Sequence, residues 1–323
     1  MIADLKKSRP DLFRILDKLN KKSHWYNFVF LFMDYGLIFL SIAASIGFHN
    51  PFIYFISVLV IGSRMRALEN LLHETSHGAL FKSRFLNNTL GLFLCAFPIG
   101  SSLHAYRKSH MAHHTYLGNK EKDPDLIRYT KIGVDALPFE KNRLIARFLR
   151  VIFLRDSLMY LKNTFSSFVY VKGTPMKELG MRLCFFFIAS AVILFQGWGV
   201  YFVLYWVIPF LAPLQVIRFF SEISEHGGLY RERDEIMMTR NNLINPVARF
   251  FIYPHGDAYH LTHHLLPAVP HYHLSRAHQI LMNWDPYAKA HHCYGYFKAG
   301  LTGLPVSFDE MVFEGRQQEV TGG

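Results

Sequence analysis

Eight histidines fall into three short clusters: His73-Glu-Thr-Ser-His77, His110-Met-Ala-His113-His114 and His260-Leu-Thr-His263-His264. On a helix, residues three and four apart share a face, so each cluster can aim its imidazoles at one point. Three clusters brought together would make a nitrogen-rich cage with room for two metal ions. Imidazole donors without thiolates suit iron, copper, nickel or zinc. Cys95, Cys184 and Cys293 lie far apart and form no C-x-x-C pair, which excludes a thiolate zinc site and a disulfide framework. Such a cage in a chain with long apolar runs points to oxygen chemistry on a lipid-like substrate.

The elements that must position these clusters are apolar. Hydropathy predicts an all-α integral membrane protein, a single domain over residues 1–323 with four spans in two hairpins and a helical cap that holds the metal site. The spans fall near residues 26–48, 51–72, 183–198 and 200–217, and the cap comprises residues 73–182 and 218–323. Pro209 and Pro213 are expected to kink the fourth span. Residues 90–99 are too short to cross and are expected to be re-entrant or interfacial. Residues 1–24 interleave lysines and arginines with Leu5, Leu12, Phe13, Ile15, Leu16 and Leu19, the pattern of an amphipathic helix lying on a membrane surface. They do not read as a secretory signal, having no compact apolar core.

Charge placement sets the expected orientation. None of the 35 lysines and arginines falls in either hairpin turn, near 49–51 and 197–199. The positive-inside rule then places both termini, the cap and all three clusters in the cytoplasm. Asp34 lies inside the first span, at a depth similar to Arg64 and Arg66 in the second. A carboxylate within a membrane is costly unless paired, so Asp34 is predicted to pair with one of the two.

The flanking residues carry a resemblance. His73-x-x-x-His77-Gly78, Tyr106-Arg107-x-x-His110-x-x-His113-His114 followed by Asp123-Pro124-Asp125, and Tyr259-His260-x-x-His263-His264-Leu265-x-Pro267-x-x-Pro270 are similar to the three histidine boxes of the membrane fatty-acid desaturase/hydroxylase superfamily. The similarity spans roughly residues 50–280. It implies two iron ions held by the eight box histidines, with dioxygen as co-substrate. It also implies a ninth ligand between the second and third boxes, for which His226 in Ser221-Glu222-x-x-Glu225-His226-Gly227-Gly228 is the match. Glu222, one helical turn earlier, matches a position where some relatives hold a water beside the metal, and is the candidate for that role or for direct ligation. Glu74 and Glu225 adjoin ligands but are expected to point elsewhere. His104, His255, His271, His273, His278, His291 and His292 are expected to stay outside the metal set. Asp123, Asp125 and Asp257 are candidates to orient ligand imidazoles through their second nitrogen.

The activity implied is desaturation of a fatty acyl chain presented as a lipid, a thioester or a carrier-bound chain. The alternative is a hydroxylase or ketolase of an alkyl, acyl or carotenoid substrate. An acetylenase is a rarer option, and a metal transporter or sensor is the non-enzymatic one. No nucleotide, flavin or haem motif occurs in the chain, so electrons must come from a separate carrier of the ferredoxin, rubredoxin or cytochrome b5 type. The formal net charge of +11 suits an acidic carrier, an acyl carrier protein or anionic membrane lipid. No nucleic-acid partner is expected.

Overall fold

The computed structural model describes residues 2–134, 138–156, 161, 162, 169, 171–232, 234–298 and 303–312. Four helices are long and apolar enough to cross a membrane: Trp25–Phe48, Pro51–Ser76, Met176–Phe195 and Gly199–His226. Ser23 caps the first by accepting from Trp25 N, and His49 ends it in the left-handed region. Asn50 then caps the second through Phe52 N and Ile53 N, with Pro51 in the first turn where its missing N–H costs nothing. Their outer faces carry exposed apolar side chains such as Phe32, Phe39 and Phe52, and those of the third helix include Phe187 and Phe195. This is the surface that lipid covers.

The helices outrun the apolar stretches that announce them. The second continues past residue 72 to Ser76, and the fourth continues past residue 217 to His226. The third starts at Met176 and stops at Phe195, where Gly197, with φ 67°, turns the chain. Hydropathy marks where lipid is tolerated, whereas the backbone hydrogen-bond ladder persists into polar sequence. In the fourth helix a π turn over Val203–Val207 precedes Pro209, and the helix breaks at Ala212, directly before Pro213. Gly62 on the second helix meets this break. A Cβ there would lie 2.6 Å from Pro213 Cγ, so only glycine lets the two helices approach this closely.

Residues Arg84–Ile99 form a helical segment that bends by 93° into Leu103–Tyr116, the shape of a broken span or of a re-entrant loop. The helices Ile2–Ser8 and Pro10–Asp17 break at Arg9, before Pro10. Their apolar stripe does not lie free for a lipid surface as the sequence pattern suggested. Leu5, Leu12, Leu16 and Leu19 are buried in one core with Leu274, Ala277 and Leu281. Burying each leucine contributes about 1.5–3 kcal/mol, so the protein's own core has taken up the stripe, leaving Ile2 and Ile15 exposed. The only sheet among the described residues is a parallel pair, Arg240–Asn242 against His291–Cys293.

Asp34 is fully buried and pairs with Arg64, Oδ1 to Nη1 at 3.0 Å, while its Oδ2 lies 2.6 Å from His255 Nε2. Arg66 turns the other way, toward Glu69 at 3.0 Å and Asp257 at 2.9 Å. Glu69 also binds Arg218 of the fourth helix at 2.8 Å. These pairs tie the second helix to the first, to the fourth and to the segment that leads into the third histidine cluster.

Candidate metal centre

Each histidine cluster ends or begins an element whose local sequence determines its placement. His73 sits on the last turn of the second span and His77 is its C-cap. The second cluster lies on Leu103–Tyr116, started by Ser102, whose hydroxyl accepts from Ala105 N. The third lies on the short helix His260–Leu265. Gly256, with φ 77°, turns the chain into it, and a Cβ there would lie 2.7 Å from His271 O, so no other residue fits. His226 ends the fourth span.

The nine nitrogens converge as two sets. His73, His77, His110, His114 and His263 form one, and His113, His226, His260 and His264 the other, with the ligand atoms of each within 4.8 Å of one another. In the first set the Nε2 atoms run His77–His110–His114–His263 at 2.8, 2.9 and 3.0 Å. In the second they run His113–His226–His260–His264 at 3.2, 3.0 and 3.1 Å. An imidazole Nε2 either donates one proton or accepts at one lone pair. A run of four such atoms can therefore satisfy at most two of its three contacts by hydrogen bonding. A cation resolves all of them, since two nitrogens at about 2.1 Å from one metal and at right angles lie about 3 Å apart. His73 Nε2 is buried with no hydrogen-bond partner, which leaves it able to bind a metal. The residues present fit two metal ions.

The electrostatics agree for eight of the nine imidazoles; His113 alone is raised, its burial outweighed by Asp125 and Asp123. Burial and neighbouring imidazoles hold His260, His263 and His264 well below the ordinary histidine range, and burial brings His77 down to about 4. These rings are neutral at physiological pH, the form that ligates. Second nitrogens are anchored as well. His113 Nδ1 lies 2.9 Å from Asp123 Oδ1, and His226 Nδ1 lies 2.9 Å from Met238 O. Asp123 is also the N-cap of Pro124–Ile132, accepting from Asp125 N and Leu126 N.

Asp125 reaches His113 Nδ1 only at 3.7 Å and Arg128 at 3.4 Å. Asp257 orients no ligand imidazole but holds Arg66 and accepts from Ser221. Glu222 belongs to neither nitrogen set, and its Oε2 accepts from Arg128 Nη2 at 2.8 Å. Glu225, expected to point away, has its Oε2 3.6 Å from His260 Nε2 and forms an oxygen-bearing group with Asp257 and His260. The fourth helix approaches the third cluster from the side, so the residue before His226 also faces it. Glu74 does point away, accepting from His271 N at 3.1 Å. None of His104, His255, His271, His273, His278, His291 and His292 enters either set. Beside the histidines lies a chamber of about 40 Å³ walled by charged and polar side chains, among them Arg66, Asp125, Arg128, Glu222, Glu225 and Asp257.

Comparison with known proteins matches this geometry. The fatty acid desaturase family model covers residues 49–296. The chain is 30% identical to a dihydrorhizobitoxine desaturase of Bradyrhizobium elkanii, across 86% of this chain and 81% of that protein. It is 27% identical to a ferredoxin-named sn-1 acyl-lipid omega-3 desaturase of Synechocystis, across 77% and 72%. With four spans, two imidazole sets able to hold metal and these relatives, the chain is an oxidoreductase that belongs to the fatty acid desaturase family.

Proposed function

We propose that this protein is an oxygen-dependent desaturase that removes two hydrogens from adjacent carbons of a fatty acyl chain. The observation that carries this reading is the division of nine imidazoles into a set of five and a set of four at one centre. Two iron ions held there supply dioxygen activation and hydrogen removal from an unactivated C–H bond. The chain's own part is to hold the metals through His73, His77, His110, His114 and His263 on one side and His113, His226, His260 and His264 on the other. Asp123 and the Met238 carbonyl keep His113 and His226 turned with Nε2 inward. Glu222 is proposed to hold a water in the adjoining chamber, whose volume of about 40 Å³ has room for one. Electrons come from a separate carrier, for which the ferredoxin named in the Synechocystis relative is the model. The positive-inside distribution supports a cytoplasmic centre and cytoplasmic termini.

A second reading, dihydrorhizobitoxine as the substrate, is favoured by the relative named for that compound. Purified protein with iron, ferredoxin, reductase and oxygen is to be offered acyl lipid, acyl thioester and dihydrorhizobitoxine in turn. Loss of two hydrogens from an acyl substrate supports the first reading, and turnover of dihydrorhizobitoxine alone supports the second. Gain of an oxygen in place of hydrogen loss would make the protein a hydroxylase.

A further inference from the structure

Away from the histidines, a groove of about 540 Å³ opens where the bent segment Arg84–Ile99 meets the start of the third span. Its lining combines Phe85, Phe93 and Met181 with Arg84, Arg107 and Lys177. Phe85 is 73% exposed. None of the nine candidate metal-site histidines borders the groove, so a lipid bound there need not touch them.

Three cations share the groove with one acid. Arg107 spends its guanidinium on Ser76 O, Thr75 O and Asn88 Oδ1, none of which is charged. Burial, and next the Arg84 charge, hold Arg107 below its ordinary range against the opposing pull of Glu178. Arg84 and Lys177 make no hydrogen bond or ion pair among the described residues. The one acid in the wall, Glu178, is buried and turns its oxygens to Ser102 Oγ at 2.5 Å and to His104 N at 3.2 Å. Three cations and several apolar side chains in one groove beside the start of a span match an amphiphile with an anionic head and alkyl tails.

We propose that this groove binds an anionic phospholipid of the surrounding membrane, its phosphate between Arg84, Arg107 and Lys177 and an acyl tail along Phe85, Phe93 and Met181. The lipid is a structural ligand, distinct from the substrate.

Detergent-purified protein is to be mixed with phosphatidylglycerol or phosphatidylcholine of identical acyl chains, and retained lipid counted by native mass spectrometry. Phosphatidylglycerol should be retained roughly tenfold more strongly. Arg84→Gln/Lys177→Gln should abolish the preference while leaving the lipid-free unfolding midpoint unchanged, because both side chains are exposed. If the double variant does not fold, Lys177→Gln alone is read the same way, with a partial loss expected. Equal retention of the two lipids, or an unaltered preference in the variant that folds, overturns the proposal. So does stabilisation by inorganic phosphate equal to that by phosphatidylglycerol, which would identify the ligand as a free anion.

Discussion

Asp123 faces His113 across 2.9 Å while capping the helix that begins at Pro124. One carboxylate therefore fixes both a metal-site imidazole and the segment behind it. Asp123→Asn retains an N-cap acceptor but loses the charge on His113. Metal affinity should fall by about 10–100-fold with a much smaller change in unfolding midpoint, checked by competition against a chelator. Unchanged affinity would mean that the pair serves only the helix.

The second and third boxes each contribute to both imidazole sets, whereas the first contributes only to the set of five. Alanine at His113, His114, His263 or His264 should abolish turnover and lower iron content, measured by elemental analysis of the purified variants. His104→Ala should leave both unchanged, because His104 belongs to neither set. Retained activity in any of the four would break the assignment.

The buried Asp34–Arg64 pair makes a sharper stability test. Asp34→Ala strands the Arg64 cation in the protein interior and should cost about 3–5 kcal/mol. Asp34→Leu/Arg64→Met removes both charges and should be closer to wild type in denaturant unfolding. A double variant worse than the single one would contradict the pairing.

Burial lowers His77 and His278 to about 4 from an ordinary value of 6.5. Below pH 6.5 the unfolded chain takes up protons that these folded imidazoles refuse. The unfolded state then binds more protons, and stability falls as pH drops from 6.5 toward 4. The unfolding midpoint of metal-free protein should decline over that window and stay nearly flat from pH 7 to 8. A midpoint equal at pH 7.5 and pH 5 would show that other groups compensate.

The clusters were legible because i, i+3 and i+4 spacing is enough to place imidazoles on one helical face. Their division into two imidazole sets was not. His113 and His114 are neighbours in sequence, yet successive residues on a helix point about 100° apart, so His113 joins His226 while His114 joins His263. His263 likewise parts from His260 and His264. Glu225 escaped for a related reason: its direction follows from how the fourth helix crosses the third cluster, a tertiary relationship with no local signal. Asp34 was predictable from cost alone, but the choice of Arg64 over Arg66 depended on Glu69 and Asp257 claiming the latter. The leucine stripe of the first 20 residues looks the same whether it faces lipid or protein, and only the packed core decides.

Two of the spans run without an intervening loop from the apolar layer to the metal site, the second ending at His73 and His77 and the fourth at His226. The reaction centre therefore has no seam along which it could be separated from its anchor. A water-soluble version cannot be made by trimming the termini or deleting the spans, because the cut would pass through the struts that space the ligands. Solubilisation has to come from repainting the lipid-facing side chains while both helices stay whole.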